Sequence, residues 1–133
     1  MNNKIIQKLY KLCDKAAKNK DIPVSCIIIK NEKIVSSAYN RRVKDNDPLA
    51  HAEILAIKKA GKKLNTYNLI DCTLITTLYP CKMCREVIKE ARIKKVIYLA
   101  ENNKEINEKI EYIKYDDNNE YSKKLKEFFK QIR

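Results

Sequence analysis

The sequence has little of what marks fibrous, linker or membrane-spanning proteins. Its 133 residues include one glycine, three prolines and no tryptophan, which excludes collagen-like and flexible-linker compositions. No uninterrupted apolar stretch approaches the ~18 residues that a membrane-spanning helix needs. Residues 1–12 alternate polar and apolar side chains and lack the apolar block of a secretory signal. We therefore expect one soluble domain, residues 1–133, in the cytoplasm and without a membrane partner.

The charge is strongly unbalanced. Lys and Arg number 29 against 17 Asp and Glu, so the formal net charge is +12. A basic chain of this size favours polyanionic partners, nucleic acid first. Lysine far outnumbers arginine, however, and a codon bias that raises lysine throughout a proteome gives the same pattern. Charge alone therefore leaves nucleic-acid binding and an ordinary lysine-rich surface both open.

The five cysteines fall into two groups. An odd number without an export signal argues against a disulfide framework. Cys13, Cys26 and Cys72 sit singly within apolar segments, and we predict that they are small core residues. Cys81 and Cys84 instead form a Cys-x-x-Cys pair.

Hydrophobic periodicity predicts the order α-β-β-α-β-α-β-(β)-α, an α/β sandwich, with the last strand the weakest. Helices are predicted at residues 5–16, 50–60, 84–91 and 121–132, and strands at residues 24–29, 33–39, 72–77, 95–100 and 109–115. Gly61, the only glycine, is placed to end the second helix. The strand–helix–strand order of residues 72–100 implies a parallel pair with a right-handed crossover.

Three residues have the chemistry of a zinc site. Cys81 and Cys84, three apart at a helix start, project to the same side of the helix. The helix N-terminus favours thiolates, which are the form that binds zinc. His51, the only histidine, also sits at a predicted helix start, and two such starts can meet at one end of a sheet. Three protein ligands with one open position would make a catalytic site, whereas four would make a structural one.

Glu53 supplies a candidate base beside that site. It lies two residues after His51, about 200° around an ideal helix, so it need not face the metal as a ligand does. We predict that it shuttles a proton from water to the substrate and the leaving amine. The alternatives are that Cys-x-x-Cys is a redox pair and that His51 is a core residue. The combination of His-x-Glu with Pro-Cys-x-x-Cys favours one catalytic Zn²⁺ per chain.

That combination is the signature of zinc-dependent deaminases, and the sequence resembles the bacterial tRNA-specific adenosine deaminases of the cytidine/deoxycytidylate deaminase superfamily. The resemblance covers residues ~1–100 and returns in about the last ten. The segments that carry it are residues 22–24, 39–41, 51–57, 69–74, 77–84 and 128–130.

The resemblance implies a fold, a site and partners. The fold would be a cytidine-deaminase-like, three-layer α/β/α sandwich with a central mixed sheet of about five strands. His51, Cys81 and Cys84 would bind zinc, Glu53 would be the proton donor and acceptor, and Asn40 would hydrogen-bond the flipped base. The substrate would be a tRNA anticodon stem-loop, bound by a homodimer. The alternative for Asn40 is a turn residue after a strand.

Three positions depart from the family pattern. Tyr79 stands where glutamate usually precedes Pro-Cys, which bears on substrate choice and not on zinc binding. Ser25 replaces a usual glycine. After Ala100 a short Asn/Glu/Lys stretch replaces a longer glycine-rich loop that contacts RNA. The basic C-terminal helix can compensate for that loop, or its lysines can be an ordinary solvated face.

Three functions follow from these observations. The first is hydrolytic deamination of adenosine to inosine at the wobble position of a tRNA anticodon. The alternative is a zinc-dependent deaminase of a free nucleobase or nucleotide, of the cytosine, guanine or dCMP type. The third is a zinc-stabilised binding module without catalysis, which would need a fourth protein ligand to close the metal site.

Overall fold

The structure, a computed structural model, describes residues 1–101 and 109–131. The elements in these ranges are α1 (Asn3–Lys18), β1 (Ser25–Lys30), β2 (Lys33–Tyr39), α2 (Ala52–Leu64), β3 (Thr73–Leu78), α3 (Lys82–Glu90), β4 (Lys95–Ala100), β5 (Glu111–Lys114) and α4 (Glu120–Gln131). The predicted order of elements is confirmed. The polar stretch after Glu101 and the last two residues of the sequence lie outside the described residues. None of the described helices is long and apolar enough to cross a membrane.

The strands form one mixed sheet in the order β2-β1-β3-β4-β5. β1 pairs antiparallel with both β2 and β3. β3, β4 and β5 run parallel, which confirms the predicted parallel pair. Asn31 and Glu32 join β1 to β2 with φ values of 52° and 64°. Two consecutive positive φ values are those of a type I′ turn, whose twist matches a hairpin.

Each face of the sheet carries its own helices and core. Successive side chains of a strand point to opposite faces, so Ile28 and Leu74 pack with α2 and α3. Their neighbours Ile27 and Ile75 pack with α1 and α4. All four side chains are fully buried. The fold is therefore the expected three-layer α/β/α sandwich.

The single cysteines are core residues, as predicted: Cys13, Cys26 and Cys72 are free and buried. Ser25 lies in the same interior and is fully buried. Its Oγ donates a hydrogen bond to the Leu9 carbonyl at 2.8 Å, and its N–H donates to Thr77 Oγ1 at 3.1 Å. Serine at this position therefore ties β1 to α1 and to β3.

A buried carboxylate holds the loop that follows β2. Asp21 is 3% exposed, and its two oxygens accept hydrogen bonds from the N–H groups of Val43 at 2.9 Å and Lys44 at 3.3 Å. The two ends of this loop are also joined, since the Arg41 N–H donates to the Ala50 carbonyl at 2.9 Å. These bonds fix the course of the chain as it approaches His51.

The prediction that Gly61 ends the second helix is wrong. The helix continues to Leu64, and Asn65 closes it in the left-handed conformation, with φ 56° and ψ 44°. The Asn65 N–H donates to the Gly61 carbonyl. Asparagine adopts this conformation more readily than most residues, so it can replace glycine as the terminator. Gly61 itself lies in the last turn, where a Cβ would stand 3.1 Å from the Thr66 carbonyl oxygen.

We expect Asn65→Ala to lower the free energy of unfolding by about 1 kcal/mol, because alanine is strained in the left-handed conformation. Asn65→Gly should leave stability unchanged or raise it slightly. Asn19→Ala is the matched control, since Asn19 caps α1 at φ −91° and alanine is unstrained there. Urea unfolding of the three variants measures the difference. Equal losses in Asn65→Ala and Asn19→Ala would contradict this account of the α2 terminus.

Candidate metal centre and cleft

Two helices begin beside one another at one end of the sheet. His51 is the N-cap of α2 and Cys81 is the N-cap of α3, and both have extended backbone. Cys84 follows in the first turn of α3 and is fully buried. One donor atom from each of His51, Cys81 and Cys84 lies within 4.8 Å of the other two. The structure thus brings together three predicted site residues that are distant in the sequence.

The donor set suits zinc. Tetrahedral Zn²⁺ with Zn–S near 2.3 Å and Zn–N near 2.0 Å holds its donors about 3.5–3.8 Å apart, so the cluster can close on the ion with small side-chain movements. Thiolate and imidazole are the ligand types that favour zinc among common divalent metals. Within residues 1–101 and 109–131, no fourth His, Cys, Asp or Glu joins the cluster. The site is consistent with one Zn²⁺ and an open coordination position.

The two sulfurs and the imidazole share protons. Hydrogen bonds from Cys84 and from His51 lower the pKa of the Cys81 thiol to about 3. The hydrogen bond to Cys81 and then burial raise the pKa of Cys84. The same bond to Cys81 raises the pKa of His51. Groups that hold protons between them in this way release those protons when a metal takes their place.

Glu53 is buried beside this cluster, in the first turn of α2. Its side chain is not one of the three clustered donors. Burial is the main cause that raises its pKa, to about 7, although its own N–H and the nearby His51 oppose the shift. A cation bound at the sulfurs would favour the carboxylate and lower that pKa. A carboxyl group in this range can accept and release a proton near neutral pH.

Asn40 follows β2 and is 6% exposed. Its Oδ1 accepts a hydrogen bond from the Ala52 N–H at 2.8 Å. The N-cap residue His51 makes no such bond with its own side chain, so Asn40 satisfies the first turn of α2 from outside the helix. This bond gives Asn40 a structural role at the start of α2. It leaves the amide nitrogen as the group that Asn40 can offer to a ligand.

These residues line one cleft of about 380 Å³, which is within the range of small-molecule sites. The lining residues are Ile22, Val24, Asn40, Arg42, His51, Glu53, Leu78, Tyr79, Pro80, Cys81, Lys82 and Arg85. Sequence reasoning missed Arg42, Lys82 and Arg85. Only their place in the sequence could have indicated that they line the site. Arg42 lies two residues after Asn40, Lys82 lies inside the Cys-x-x-Cys motif and Arg85 directly follows it.

Tyr79 forms part of the cleft wall and of an aromatic cluster. Its ring is 5.1 Å from that of Tyr98 in an edge-to-face contact and 5.1 Å from that of Tyr112. The Arg85 guanidinium lies 5.7 Å from the centre of the Tyr79 ring, and Arg85 Nη1 donates to the Pro80 carbonyl at 2.9 Å. Tyrosine at this position therefore braces the start of α3 against β4 and β5.

Comparison with known proteins identifies the class. The family described as "Cytidine and deoxycytidylate deaminase zinc-binding region" matches residues 1–100. The chain belongs to this family of deaminases. The match contains every member of the metal cluster as well as Glu53 and Asn40.

Two curated relatives are each named tRNA-specific adenosine deaminase. The protein from Buchnera aphidicola subsp. Schizaphis graminum is 39% identical over 64% of this chain and 56% of its own length. The protein from Aquifex aeolicus is 39% identical over 85% of this chain and 83% of its own length. The chain thus spans little more than half of the first relative and most of the second.

Two solved structures share the fold. A guanine deaminase from Bacillus subtilis is 38% identical, with a TM-score of 0.69, over 76% of this chain and 66% of that one. A protein from a study of A-to-I editing by tRNA:A34 deaminases is 23% identical, with a TM-score of 0.74, over 82% of this chain and 95% of that one. The second likeness concerns the fold alone.

We expect chelation of metal to make Cys81 the fastest-alkylating cysteine. Its side chain is exposed, whereas Cys13, Cys26, Cys72 and Cys84 are buried. Because its pKa in the metal-free protein is about 3, the thiolate is present at any higher pH. Labelling should therefore persist between pH 6 and 8, a range over which an ordinary thiol loses about tenfold per unit as the pH falls.

Zinc should suppress this labelling. Iodoacetamide treatment followed by peptide mass spectrometry, with and without stoichiometric Zn²⁺, measures the effect. Cys72 serves as the internal control, since burial raises its pKa and it is not in the cluster. Equal labelling of Cys81 in both samples would contradict a metal site at this position.

Proposed function

We propose that the chain is a zinc-dependent hydrolase that converts adenosine to inosine at the wobble position of a tRNA anticodon. Residues 1–133 act as a single deaminase domain. The observation that carries the proposal is the convergence of His51, Cys81 and Cys84 beside the buried Glu53 in a cleft of about 380 Å³. The names of relatives at 39% identity favour a tRNA adenosine as substrate.

His51, Cys81 and Cys84 hold the zinc ion in this proposal. Zinc in such a site supplies Lewis-acid activation of water at neutral pH. The hydrogen bonds that now join these side chains keep the three donors near one another before the metal arrives. The two cysteines are fixed by the start of α3 and the histidine by the start of α2, so the site depends on both helices.

Glu53 moves the protons of the reaction. Adenosine and water give inosine and ammonia, so one proton must travel from the water to the ring nitrogen and another to the leaving amine. Glu53 takes each proton and passes it on, returning to the carboxylate at the end of the cycle. Its burial, 4% exposed, keeps bulk water away from these transfers and raises the pKa of its carboxyl group, which opposes the lowering that a bound cation would cause.

Asn40 binds the base. Its Oδ1 is engaged by the Ala52 N–H, so its amide nitrogen donates to an acceptor of the adenine ring. An anticodon loop is already single-stranded, and extruding its base costs only a few kcal/mol. The enzyme acts in the cytoplasm as a homodimer, and the net charge of +12 attracts the polyanion.

A free-nucleobase deaminase is the second candidate, and one specific observation favours it. The guanine deaminase structure is 38% identical to this chain, nearly as similar as the curated relatives. Such an enzyme would bind its neutral substrate with little dependence on salt. A tRNA deaminase neutralises phosphates and should bind less tightly as salt rises.

The test is incubation of the zinc-loaded protein with a tRNA anticodon stem-loop bearing adenosine at the wobble position. Inosine at that position, detected by nucleoside mass spectrometry, is the expected product. A matched stem-loop with the adenosine moved to the base-paired stem should not react. Turnover of free guanine without any inosine in the loop would reject the proposal in favour of the second candidate.

Glu53→Gln should reduce kcat by about 10²–10⁴-fold, because the amide cannot carry a proton, while the variant keeps one zinc per chain. Glu86→Gln is the matched control, since Glu86 lies exposed on α3 outside the cleft, and it should leave kcat unchanged. Single-turnover assays and metal analysis provide the two readouts. Undiminished activity in Glu53→Gln would remove Glu53 from the mechanism, and absence of any activity in the wild type would favour a binding module.

A further inference from the structure

Two exposed cations from different parts of the chain line the cleft. Arg42 lies in the loop after β2, and Lys82 is the first residue of α3. Both line the cleft, and both side chains are exposed. Neither takes part in the ion pairs found within the described part of the chain. Their charges are therefore available to a ligand.

The interior of the cleft does not balance these charges. Glu53 is the single acidic residue among the described lining residues, and it is buried below the opening. Arg42, Lys82 and Arg85 together outnumber the two anionic groups of the lining, which are Glu53 and the Cys81 thiolate. Such an excess of positive charge attracts anions to the entrance of the cleft. The ligand that fits is one whose reacting part is small and neutral and whose attached part is anionic.

An apolar side chain lies on the same rim. Ile22 lines the cleft and is 37% exposed, so it offers apolar surface to a ligand there. Apolar surface beside cations suits the face of a base or sugar next to a phosphate, and an inorganic anion alone would not need it. The arginine can bind a phosphate through two N–H groups, while the lysine acts as a point charge.

We propose that Arg42 and Lys82 bind phosphate groups attached to the target nucleotide. The substrate is then a phosphorylated nucleotide unit, in RNA or as a mononucleotide, and not a free base. The inference rests on the proposed deaminase function for the reaction itself. It adds that Arg42 and Lys82 position the substrate through its phosphate groups. Arg85 is not part of this rim, because it packs on Tyr79 and donates to the Pro80 carbonyl.

The variants Arg42→Gln and Lys82→Gln test the rim, with Lys33→Gln as the matched control. Lys33 is exposed and pairs with Lys30 at the hairpin end of the sheet, whereas Tyr39 marks the site end of the same strand. We expect each rim variant to raise the Kd for the anticodon stem-loop about tenfold at low salt. Each should also reduce the slope of log Kd against log salt by about 0.7, the value for one phosphate contact on a single strand. Lys33→Gln should change neither quantity.

The outcomes separate this inference from the proposed function. Inosine formation by the wild type, with rim variants that behave like Lys33→Gln, would reject the rim and keep the function. No inosine, with turnover of AMP or GMP whose KM rises in both rim variants, would reject the tRNA substrate and support phosphate binding. Turnover of free guanine with KM unchanged in both variants would reject both. Zinc content and thermal midpoint, measured for every variant, show that the fold is intact.

Discussion

The candidate site depends on one constraint, which is that α2 and α3 begin at the same end of a single sheet. α3 starts at Lys82, shortly after β3 ends at Leu78, and the parallel pairing of β3 with β4 requires α3 to cross back over the sheet from that end. The antiparallel pairing of β1 with β2 returns the chain to that end at Tyr39, ahead of α2. If either pairing slipped, the histidine and the two sulfurs could not meet. Assembly of the three metal ligands therefore depends on the register of the strands.

Much of this arrangement could be predicted because the relevant signals are local. Periodicity located nine elements, and motif spacing located His51, Cys81 and Cys84 at helix starts. The left-handed conformation of Asn65 could not be predicted, because glycine and asparagine are both common helix terminators and the sequence does not show which of the two takes that conformation. The same limit applies to the cleft wall. Arg42 and Lys82 come to line one cleft only when the loop after β2 folds beside the start of α3, and Tyr79 contacts its aromatic partners on β4 and β5.

The family pattern and the physical surroundings of the departing residues give a consistent picture. Ser25 forms two hydrogen bonds that tie together three elements. Tyr79 fills an aromatic cluster and supports Arg85. Both departures are integrated into the core, and neither removes a donor from the metal cluster. These two substitutions therefore change the surroundings of the metal cluster and leave its ligands in place.

The hydrogen bond from the Ala52 N–H to Asn40 Oδ1 has an evolutionary consequence. The amide oxygen serves the scaffold while the residue also lines the cleft, so a side chain without an acceptor at position 40 would uncap the helix that starts beside His51. Natural variation cannot readily alter what the enzyme prefers by exchanging this residue. New preferences would arise more readily at lining residues that do not also hold the scaffold in this way, such as Arg42.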